Sequence, residues 1–473
     1  MLKKTYLLPF LIFCAAALLA QKPAWQPLFD GKTLKGWKQL GGVAKYDIKD
    51  GVIVGSAVVN TPNSFLTTEA TYGDFIFECE VNVDEGLNSG IQFRSLSVPT
   101  FENGRVHGYQ MEIDATDRAF SGGIYDEARR GWLYVPELNP ATQTAFRRNN
   151  TWNLYRIEAI GNTLRTFING VEISHVIDDL TPQGFICLQV HSIGSKEEEG
   201  RQVRWRNIRI QTGALQPTPP GNIRIVNMIP NQLSEAEKKQ GFQLLWDGQT
   251  SKGWRGAYKT TFPEKGWDMQ NGELAVKKSD GTESTNGGDI ITTEQFGAFE
   301  LVFDFNFSEG ANSGVKYFAR ELLQYTHEYQ PGQPMTVPEN LAQKGSAIGL
   351  EFQILDDERH PDAKLGAGGN RTLASLYDLI PADKTGYHNR AVRKPGEWNQ
   401  GRIIVYPNNR VEHYLNGFKM LEYTRLSPLF NALVERSKYQ VWGKQFGSTE
   451  KGPILLQDHG DAVRYRSLKI RPL

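Results

Sequence analysis

The residues of this chain that are best suited to chemistry are polar side chains that recur in segments of alternating polarity. In the first half, Gln110, Glu112 and Asp114 alternate with apolar residues, and Gln189 and His191 do so further along. Because successive side chains of a strand point to opposite faces, each set occupies one face of its strand. If these strands share a sheet, a carboxylate, an amide and an imidazole converge there, which suits a sugar site or acid–base catalysis.

The second half carries a corresponding set of polar side chains, with a lysine in addition. Its members are Lys316, then Glu351 and Gln353 with Asp356 just beyond, and finally Gln457 and His459. The chain has eight histidines, and only His191 and His459 occupy matched positions in the two halves. Alternation alone favours a solvated sheet face, and a repeated histidine beside carboxylates makes a functional face an equal alternative.

Three further features have open interpretations. Arg94 shares one side of its strand with Gln92 and could add a cation to the first set. Tyr125 and Tyr377 each follow the acidic strand, so they either contact a ligand or are buried in the core. The segment 320–345 is long and contains three prolines, which is compatible with a lid over a site or with a tolerated surface insertion.

The elements that must position these residues come from an internal repeat. Eight short anchors occur in the same order in both halves. They are Leu28-Phe29-Asp30-Gly31 to Gly36-Trp37 with Leu245-Trp246-Asp247-Gly248 to Gly253-Trp254, Thr67-Thr68 with Thr292-Thr293, Gly73-Asp74-Phe75 with Gly297-Ala298-Phe299, Asn88-Ser89-Gly90 with Asn312-Ser313-Gly314, Trp152-Asn153 with Trp398-Asn399, Asn169-Gly170 with Asn416-Gly417, Leu188-Gln189-x-His191 with Leu456-Gln457-x-His459, and Val203-Arg204-Trp205-Arg206 with Val463-Arg464-Tyr465-Arg466. Chance does not produce such a series, so the chain is a tandem duplication.

Each copy is predicted to be an all-β domain. Apolar residues recur with a period of two, as in 75–83 and 299–307, which is typical of half-buried strands. The Asn-Gly pairs predict hairpin turns, and Gly and Pro between short strands indicate a two-sheet antiparallel sandwich of the jelly-roll kind. The predicted domains are 21–213 and 234–473, joined by a proline-rich linker at 214–233. A capping box from Ser234 to Glu237 predicts a short helix at the start of the second domain.

The N-terminus and the composition predict an exported protein. Two lysines precede an apolar run from Tyr6 to Leu19, and small residues up to Ala20 predict a secretory signal at 1–20 that is cleaved there. The expected location is the periplasm or the medium, and no later segment is apolar and long enough to cross a membrane. Lys+Arg and Asp+Glu both number 53, which argues against a nucleic-acid partner. Cys79 lies on an apolar strand face and is predicted to be a buried free thiol.

The anchors together resemble the 3-keto-disaccharide hydrolase family. The resemblance is carried by the Leu-(Phe/Trp)-Asp-Gly…Gly-Trp, Asn-Ser-Gly, Trp-Asn, Asn-Gly, Leu-Gln-x-His and closing (Trp/Tyr)-Arg segments, and it covers nearly all of 25–210 and 241–473. It implies two tandem concanavalin-like jelly-roll β-sandwich domains, export, and a carbohydrate substrate that is oxidised at carbon 3.

The second copy resembles the family more closely than the first. The first copy departs from the family because Gln110 and Glu112 reverse the order Glu-x-Gln, and because Val190 and Ser192 replace Asp and Gly around the histidine. The resemblance therefore implies catalysis in the second copy, whereas the first copy binds sugar, supports the fold or has a divergent site.

The implied reaction needs a base for the acidic proton on carbon 2, a stabiliser of the enolate oxygen and an acid for the leaving group. Glu351 or His459 is the expected base, Lys316 the stabiliser, and Asp356 either orients His459 or is the acid. A divalent metal held by the histidine and carboxylates could take the place of Lys316. The expected substrate-binding residues are Gln353, Gln457, Arg466 and Tyr377 in the second copy, and Arg94, Glu112, Asp114, Gln189 and His191 in the first.

Two other functions remain open at this point. Sandwiches of this shape can bind glycans without cleaving them, since a fold alone does not fix a function. A conventional glycosidase with a pair of carboxylates would use the same residue types.

Overall fold

The structure is a computed structural model that describes residues 25–213, 215–280, 284, 286–321 and 347–473. The predicted signal segment at 1–20 lies outside the described residues, as does nearly all of the predicted lid or insertion at 320–345. We refer to residues 25–213 as module 1 and to residues 234–473 as module 2. Each module is a sandwich of two sheets, which we call the front sheet and the back sheet.

Module 1 pairs a seven-stranded front sheet with a nine-stranded back sheet. The front strands are β2 (Trp37–Gly41), β5 (Ser64–Thr68), β7 (Asn88–Leu96), β8 (His107–Asp114), β9 (Ile124–Glu127), β10 (Gly131–Tyr134) and β14 (Phe185–Val190). The back strands are β1 (Gln26–Pro27), β3 (Lys45–Lys49), β4 (Val52–Ser56), β6 (Phe75–Val83), β11 (Asn153–Ile160), β12 (Thr163–Ile168), β13 (Val171–Ile177), β15 (Gln202–Gln211) and β16 (Val226–Asn227). Their orders are β10-β9-β8-β7-β14-β5-β2 and β16-β13-β12-β11-β6-β15-β4-β3, with β1 beside β15.

Module 2 repeats this plan with a five-stranded front sheet and an eight-stranded back sheet. The front strands are β18 (Trp254–Gly256), β21 (Ile290–Thr292), β23 (Asn312–Arg320), β24 (Ile348–Leu355) and β28 (Leu455–Leu456). The back strands are β17 (Gln243–Leu244), β19 (Trp267–Gln270), β20 (Glu273–Val276), β22 (Phe299–Phe307), β25 (Asn399–Val405), β26 (Arg410–Leu415), β27 (Phe418–Thr424) and β29 (Val463–Pro472). Their orders are β18-β21-β28-β23-β24 and β19-β20-β29-β22-β25-β26-β27, with β17 beside β29. The predicted all-β fold with two jelly-roll sandwiches is confirmed.

Helices are short in the described part of the chain. They are α1 (Glu235–Lys239), α2 (Pro428–Val434) and 3₁₀ turns at Glu102–Gly104, Pro136–Leu138, Pro140–Ala145, Lys196–Glu198, Pro361–Lys364, Gly386–Ala391 and Lys438–Gln445. The predicted capping box is confirmed, because Ser234 accepts a bond from the Glu237 backbone and Glu237 binds back to Ser234. Among the described residues, no helix is long and apolar enough to span a membrane.

The turns and the buried strand faces follow from local sequence. The two Asn-Gly pairs close the β12–β13 and β26–β27 hairpins with positive φ at both residues, as predicted (Asn169 φ 50°, Gly170 φ 84°). The core side chains of the front and back strands meet between the sheets, and Cys79 is buried as a free thiol, as predicted; Cys187 is also buried and free.

One face that the alternation predicts to be wet is covered instead. On the outer side of the back sheets, Glu78 of β6 is 6% exposed and Glu300 of β22 is 1% exposed. Glu300 is held by Arg224, Arg402 and Arg471 at 2.6, 2.8 and 2.6 Å. Although burial alone would raise it, these arginines lower the pKa of Glu300 far below its ordinary value. The polar residues of these strands therefore form buried ion-pair networks. The alternation of polar and apolar residues predicted a solvent-exposed face instead.

The linker and the two modules pack together. Strand β16 of the linker pairs in parallel with β13 of module 1. Arg224 of the linker reaches Glu300 of module 2. Phe120, Trp132 and Val135 of module 1 belong to the apolar cluster that forms the core of module 2. The modules thus share buried surface, which places the hairpin at Gly417 against Val135.

Candidate functional site

Lys316 and Glu351 lie opposite each other on the outer face of the module 2 front sheet. They are paired across β23 and β24, and each is 4% exposed. Glu351 leans over Gly314, since a Cβ added at Gly314 would lie 2.1 Å from its Oε1. The glycine of the Asn-Ser-Gly anchor therefore makes room for the carboxylate beside the lysine.

A second carboxylate, from Asp289, faces the same lysine. Its Oδ2 lies 3.7 Å from Lys316 Nζ, and Asp289 is fully buried. Its Oδ1 accepts a bond from the Asp458 backbone at 3.0 Å, while Lys316 Nζ donates to the Ala347 carbonyl at 3.2 Å. Residues of β23 and β24, and Asp289 just before β21, thus bring a cation and two carboxylates together on one face of the sheet.

Asp289 was not among the residues predicted from the sequence, because it has no polar counterpart in module 1. In strand register, Trp254 faces Thr292 as Trp37 faces Thr68, so the module 1 counterpart of Asp289 is Phe65. The available signal was its place in Gly287-Gly288-Asp289, just before an apolar strand and near the Thr292 anchor.

His459 follows β28 at the edge of this face and has a histidine neighbour. The rings of His459 and His360 are perpendicular, with centroids 6.1 Å apart. His360 Nδ1 accepts a bond from the Asp362 backbone at 3.2 Å, and burial together with the nearby His459 lowers the pKa of His360. His459 is half-buried, and no described residue hydrogen-bonds its Nδ1. His360 was also missed, because nothing in module 1 matches it.

The two glutamines of the module 2 set lie on the same face. Gln353 is 1% exposed, and with its amide oriented to satisfy its neighbours it donates to Glu351 Oε1 at 3.3 Å and to the Ser313 carbonyl at 3.1 Å. Gln457 is 5% exposed, and its carbonyl accepts a bond from Ser313 at 2.8 Å. The structure therefore brings together Lys316, Glu351, Gln353, Gln457 and, at the rim, His459.

The structure gives Asp356 a different position from the one expected. Its carboxylate accepts bonds from the backbones of Gly310, Glu358 and Arg359 at 2.8, 3.1 and 3.3 Å, and from the Arg359 side chain at 3.3 Å. Although burial would raise it, these bonds lower the pKa of Asp356. The expectation that Asp356 acts as the acid is corrected, because these bonds favour its ionised form while the carboxylate anchors the loop after β24. Its expected role in orienting His459 stays a prediction.

Arg466 lies on the other sheet of module 2. Its guanidinium stacks over Trp398 at 3.9 Å and bonds Asp304 at 3.4 Å on the outer side of the back sheet. Arg206 repeats this contact over Trp152 at 4.1 Å in module 1. The expected contact of Arg466 with substrate is therefore corrected, since the repeated Trp–Arg pair stabilises the back sheet.

Tyr377 is tied into a polar cluster beside the front sheet. Its hydroxyl donates to Asp362 at 2.7 Å, and Lys438 Nζ lies 4.2 Å from its ring centre. Tyr377 is 8% exposed, and its backbone donates to the Glu351 carbonyl at 3.1 Å. In module 1 the matching residue is Tyr125, which pairs with Gln110.

Module 1 keeps the frame of this site and changes its chemistry. Gln110 fills the space over Gly90, where an added Cβ would lie 2.3 Å from its Cδ, so Gln110 takes the place of Glu351. Glu112 takes the place of Gln353, and Gln92 that of Lys316. With Phe65 at the position of Asp289, module 1 lacks the lysine and both of its carboxylates.

Two residues expected in the module 1 site point elsewhere. Arg94 has a positive φ of 46° in a bulge of β7, which turns its guanidinium to the Gly73 and Gly161 carbonyls at 2.9 and 2.8 Å. The expectation that it shares a face with Gln92 is wrong for that reason. Asp114 is fully buried and binds the backbones of Thr116 and Phe120, both at 3.0 Å, so it closes a loop instead of facing a ligand.

The remaining module 1 candidates lie on its polar face. Glu112 is 3% exposed, and its Oε1 accepts bonds from Asn88 and Arg118, both at 2.6 Å. Gln189 is fully buried opposite Gly90, and His191 follows β14 with Nδ1 2.6 Å from the Ser192 carbonyl.

A metal site has no ready donor set in the described residues. No group of three or more His, Cys, Asp and Glu side chains is arranged to hold an ion there. The groups that the module 2 site offers for chemistry are a carboxylate, a buried ammonium and an imidazole, which suffice for proton transfer and for stabilising an oxyanion.

The sequence also matches a known family model. The 3-keto-alpha-glucoside-1,2-lyase-like domain matches residues 24–211 and again residues 241–471. The chain belongs to this family. A 3-keto-disaccharide hydrolase of Bacteroides thetaiotaomicron is 36% identical over 245 residues, which span 49% of this chain and 79% of that protein. The predicted family and the prediction of an enzyme acting on glycosyl bonds are confirmed.

Solved structures with similar folds include two carbohydrate-related proteins. A protein of Parabacteroides distasonis, provisionally named a glycosyl hydrolase, is 25% identical with a TM-score of 0.39, over 52% of this chain and 100% of that one. The carbohydrate-binding module CBM66 of Bacillus subtilis is 15% identical with a TM-score of 0.26, over 37% and 96% of the two chains.

Proposed function

We propose that this protein is an exported enzyme that cleaves 3-keto-glycosides, and that module 2 carries the chemistry. The observation that carries the proposal is the meeting of Lys316, Asp289 and Glu351 on one sheet face. The family membership and the relative named as a 3-keto-disaccharide hydrolase support the substrate class.

In the proposed reaction, a base removes the proton on carbon 2, and the electron pair moves onto the carbon 3 oxygen as an enolate. The enolate then re-forms the ketone while the bond from carbon 1 to the leaving oxygen breaks, which creates a double bond between carbons 1 and 2. Water adds to carbon 1 and a proton returns to carbon 2, so the net result is hydrolysis. Every step is a proton transfer, an elimination or an addition of water, so the reaction needs no redox partner.

Glu351 is the proposed base. Its carboxylate is buried, lies over Gly314 and is paired across the strands with Lys316 on the outer face of the front sheet. His459, half-buried at the rim, is the proposed acid for the leaving group.

Lys316 is the proposed stabiliser of the enolate oxygen. A buried ammonium is costly unless it has partners, and Asp289 at 3.7 Å with the Ala347 carbonyl at 3.2 Å supplies them. Such a fixed cation acts where charge develops in the transition state, and a single preorganised donor contributes about 10²–10³ in kcat.

The test is cleavage of a matched pair of normal and 3-keto glycosides in deuterium oxide. The wild type should cleave only the 3-keto substrate and place deuterium on carbon 2 of the product. Glu351→Gln should lose cleavage by about 10²-fold or more, as for loss of a general base. The matched control is Glu85→Gln in module 1, which should stay within about twofold of wild type because Glu85 is exposed and lies outside the module 2 site.

The other outcomes separate the alternatives. Cleavage of the normal glycoside without deuterium at carbon 2 indicates a conventional two-carboxylate glycosidase. Cleavage of neither substrate indicates a protein that only binds carbohydrate. Full activity in His459→Ala would refute its role as the acid.

Export is proposed from residues 1–20 alone. The positive start, the apolar run and the small residues before Gln21 are typical of a secretory signal. The mass of the mature protein purified from the periplasm or the medium tests this, because cleavage after Ala20 predicts an N-terminus at Gln21.

A further inference from the structure

A cavity of about 410 Å³ lies between the polar face of module 1 and the second module. This volume is within the usual range of about 300–1,000 Å³ for small-molecule sites. One wall is the module 1 face with Gln110 and Glu112, and the opposite wall is formed by Arg393, Asn416 and Phe418 of module 2. Neither module alone encloses it.

The module 1 wall carries a carboxylate with no counterpart in module 2. Glu127 at the end of β9 is 7% exposed and lines the cavity. Burial raises the pKa of Glu127 even though Arg105 lies 3.5 Å away. The corresponding segment of module 2 turns back at once, because Leu376, which pairs with Phe352 as Ile124 pairs with Met111, also pairs with Ile380, so no strand residue there is equivalent to Glu127. The cavity therefore has a carboxylate that the module 2 site lacks, and it is not simply a degenerate version of that site.

Aromatic side chains complete the module 1 wall. Tyr125 is half-buried and packs edge-on against Trp132, with ring centres 5.2 Å apart. Both line the cavity, and Phe418 lies on the opposite side. Aromatic rings provide a flat apolar surface for the C–H face of a sugar ring, while carboxylates and amides beside them bind its hydroxyls.

The module 2 wall is fixed by bonds across the interface. Arg393 donates to the Trp132 carbonyl of module 1 at 3.1 Å and to the Trp398 carbonyl of its own module at 2.7 Å. Phe418 packs against Phe120 of module 1 with ring centres 6.2 Å apart. These contacts hold the second wall in place before any ligand binds.

Buried amide groups on the module 1 face still have hydrogen-bonding capacity. Gln189 is fully buried, and no described residue bonds its Nε2 or its Oε1. Gln92 Oε1 is also buried, and no described residue hydrogen-bonds it, although Gln92 Nε2 donates to Gln110 at 3.0 Å. Native proteins rarely leave such groups without a partner, so water or a ligand is expected beside them. Neither glutamine lines the cavity itself, but Gln92 bonds Gln110, which does.

The charges around the cavity are balanced. Arg118 is paired with Glu112 and Asp114 at 2.6 and 2.7 Å. Arg130 likewise binds Asp126 at 2.6 Å and Asp178 at 2.5 Å. The third arginine of the lining, Arg393, donates to the Trp132 and Trp398 carbonyls. Because all three guanidinium groups are already bound by protein groups, the cavity suits an uncharged ligand with many hydroxyls.

We propose that this cavity is a second carbohydrate site, which binds an uncharged sugar ring without cleaving it and which requires both modules. Cleavage is not expected there because Gln92 and Phe65 stand where module 2 has Lys316 and Asp289. The site is independent of the reaction proposed for module 2, so either proposal can fail alone.

The test is sugar binding to the full chain that carries His459→Ala, measured by saturation-transfer NMR and calorimetry. The probes are glucose, galactose, mannose, N-acetylglucosamine and maltose. At least one should bind, and adding Glu127→Gln or Tyr125→Ala should weaken that binding by about tenfold or more. Arg393→Ala in module 2 should weaken it as well. Glu85→Gln is the matched control, since Glu85 is an exposed carboxylate of module 1.

Unchanged circular dichroism and melting temperature show that a weakened variant is still folded, and Glu127→Gln keeps the shape of the side chain if Tyr125→Ala does not fold. The proposal is overturned if none of the probes binds. It is also overturned if Glu351→Gln abolishes binding while Glu127→Gln does not, because the sugar would then occupy the module 2 site.

Discussion

The substitution Gly314→Ala tests the geometry of the module 2 site more sharply than removal of a functional group. The added Cβ would lie 2.1 Å from Glu351 Oε1 and 2.8 Å from its Cδ. Carbon contacts are comfortable from about 3.5 Å, so the carboxylate must withdraw by roughly 1 Å. The backbone can accept alanine at this position, because Gly314 does not adopt a positive φ.

The expected effect is on rate more than on stability. A displacement of about 1 Å at a reacting group costs on the order of 10²-fold in rate, or about 2.7 kcal/mol in the activation barrier. Overpacking of this kind destabilises by about 1–3 kcal/mol, with about 2–4 °C of melting temperature for each kcal/mol. We therefore expect a folded protein whose kcat/KM on a 3-keto glycoside falls by about 100-fold.

Two glycines provide controls for this measurement. Gly90→Ala creates the equivalent clash in module 1, 2.3 Å from Gln110 Cδ, and should leave cleavage within about twofold of wild type. Gly194→Ala meets no atom within 4 Å and controls for the substitution itself. The reasoning is refuted if a crystal structure of Gly314→Ala shows Glu351 displaced while kcat/KM stays within about twofold of wild type.

Three further outcomes follow from described contacts. Lys316→Gln should lower kcat on a 3-keto glycoside by about 10²–10³ while substrate still binds, as steady-state kinetics and calorimetry would measure. Asp356→Asn should lower the melting temperature and keep most of the activity, whereas a loss as large as that of His459→Ala would restore its role as the acid. Although burial opposes it, Lys469 lowers the pKa of Glu237. The stability Glu237 supplies is therefore full at neutral pH and lost as the pH falls, so the melting-temperature gap between wild type and Glu237→Gln should shrink below about pH 4.

The frame of the fold could be predicted because it depends on local patterns. Period-two runs, Asn-Gly turns and the Ser234 capping box each specify one element with residues that are close in sequence. The exchange of Gln110 and Glu112 relative to Glu351 and Gln353 was also predictable, and strand register shows that it is a true exchange of positions.

The parts that could not be predicted depend on irregular backbone or on contacts between distant segments. A single bulge at Arg94 turns its side chain away from the face that alternation assigns to it. Asp289 could not be found by comparing the two copies, because its counterpart in module 1 is Phe65 and that comparison selects only residues that both copies share. The walls of the cavity at Arg393 and Phe418 come from a module that sequence reasoning treats as separate.

The packing between the modules has an evolutionary consequence. A domain usually has its own core and can fold alone, so one copy of a duplicated domain can be lost without unfolding the other. Here, deletion of module 2 would expose Phe120, Trp132 and Val135, which lie in its core cluster, and such apolar patches promote aggregation. Selection would therefore retain both copies of the gene segment even after one had lost its original activity. The inactive copy could then acquire a different ligand.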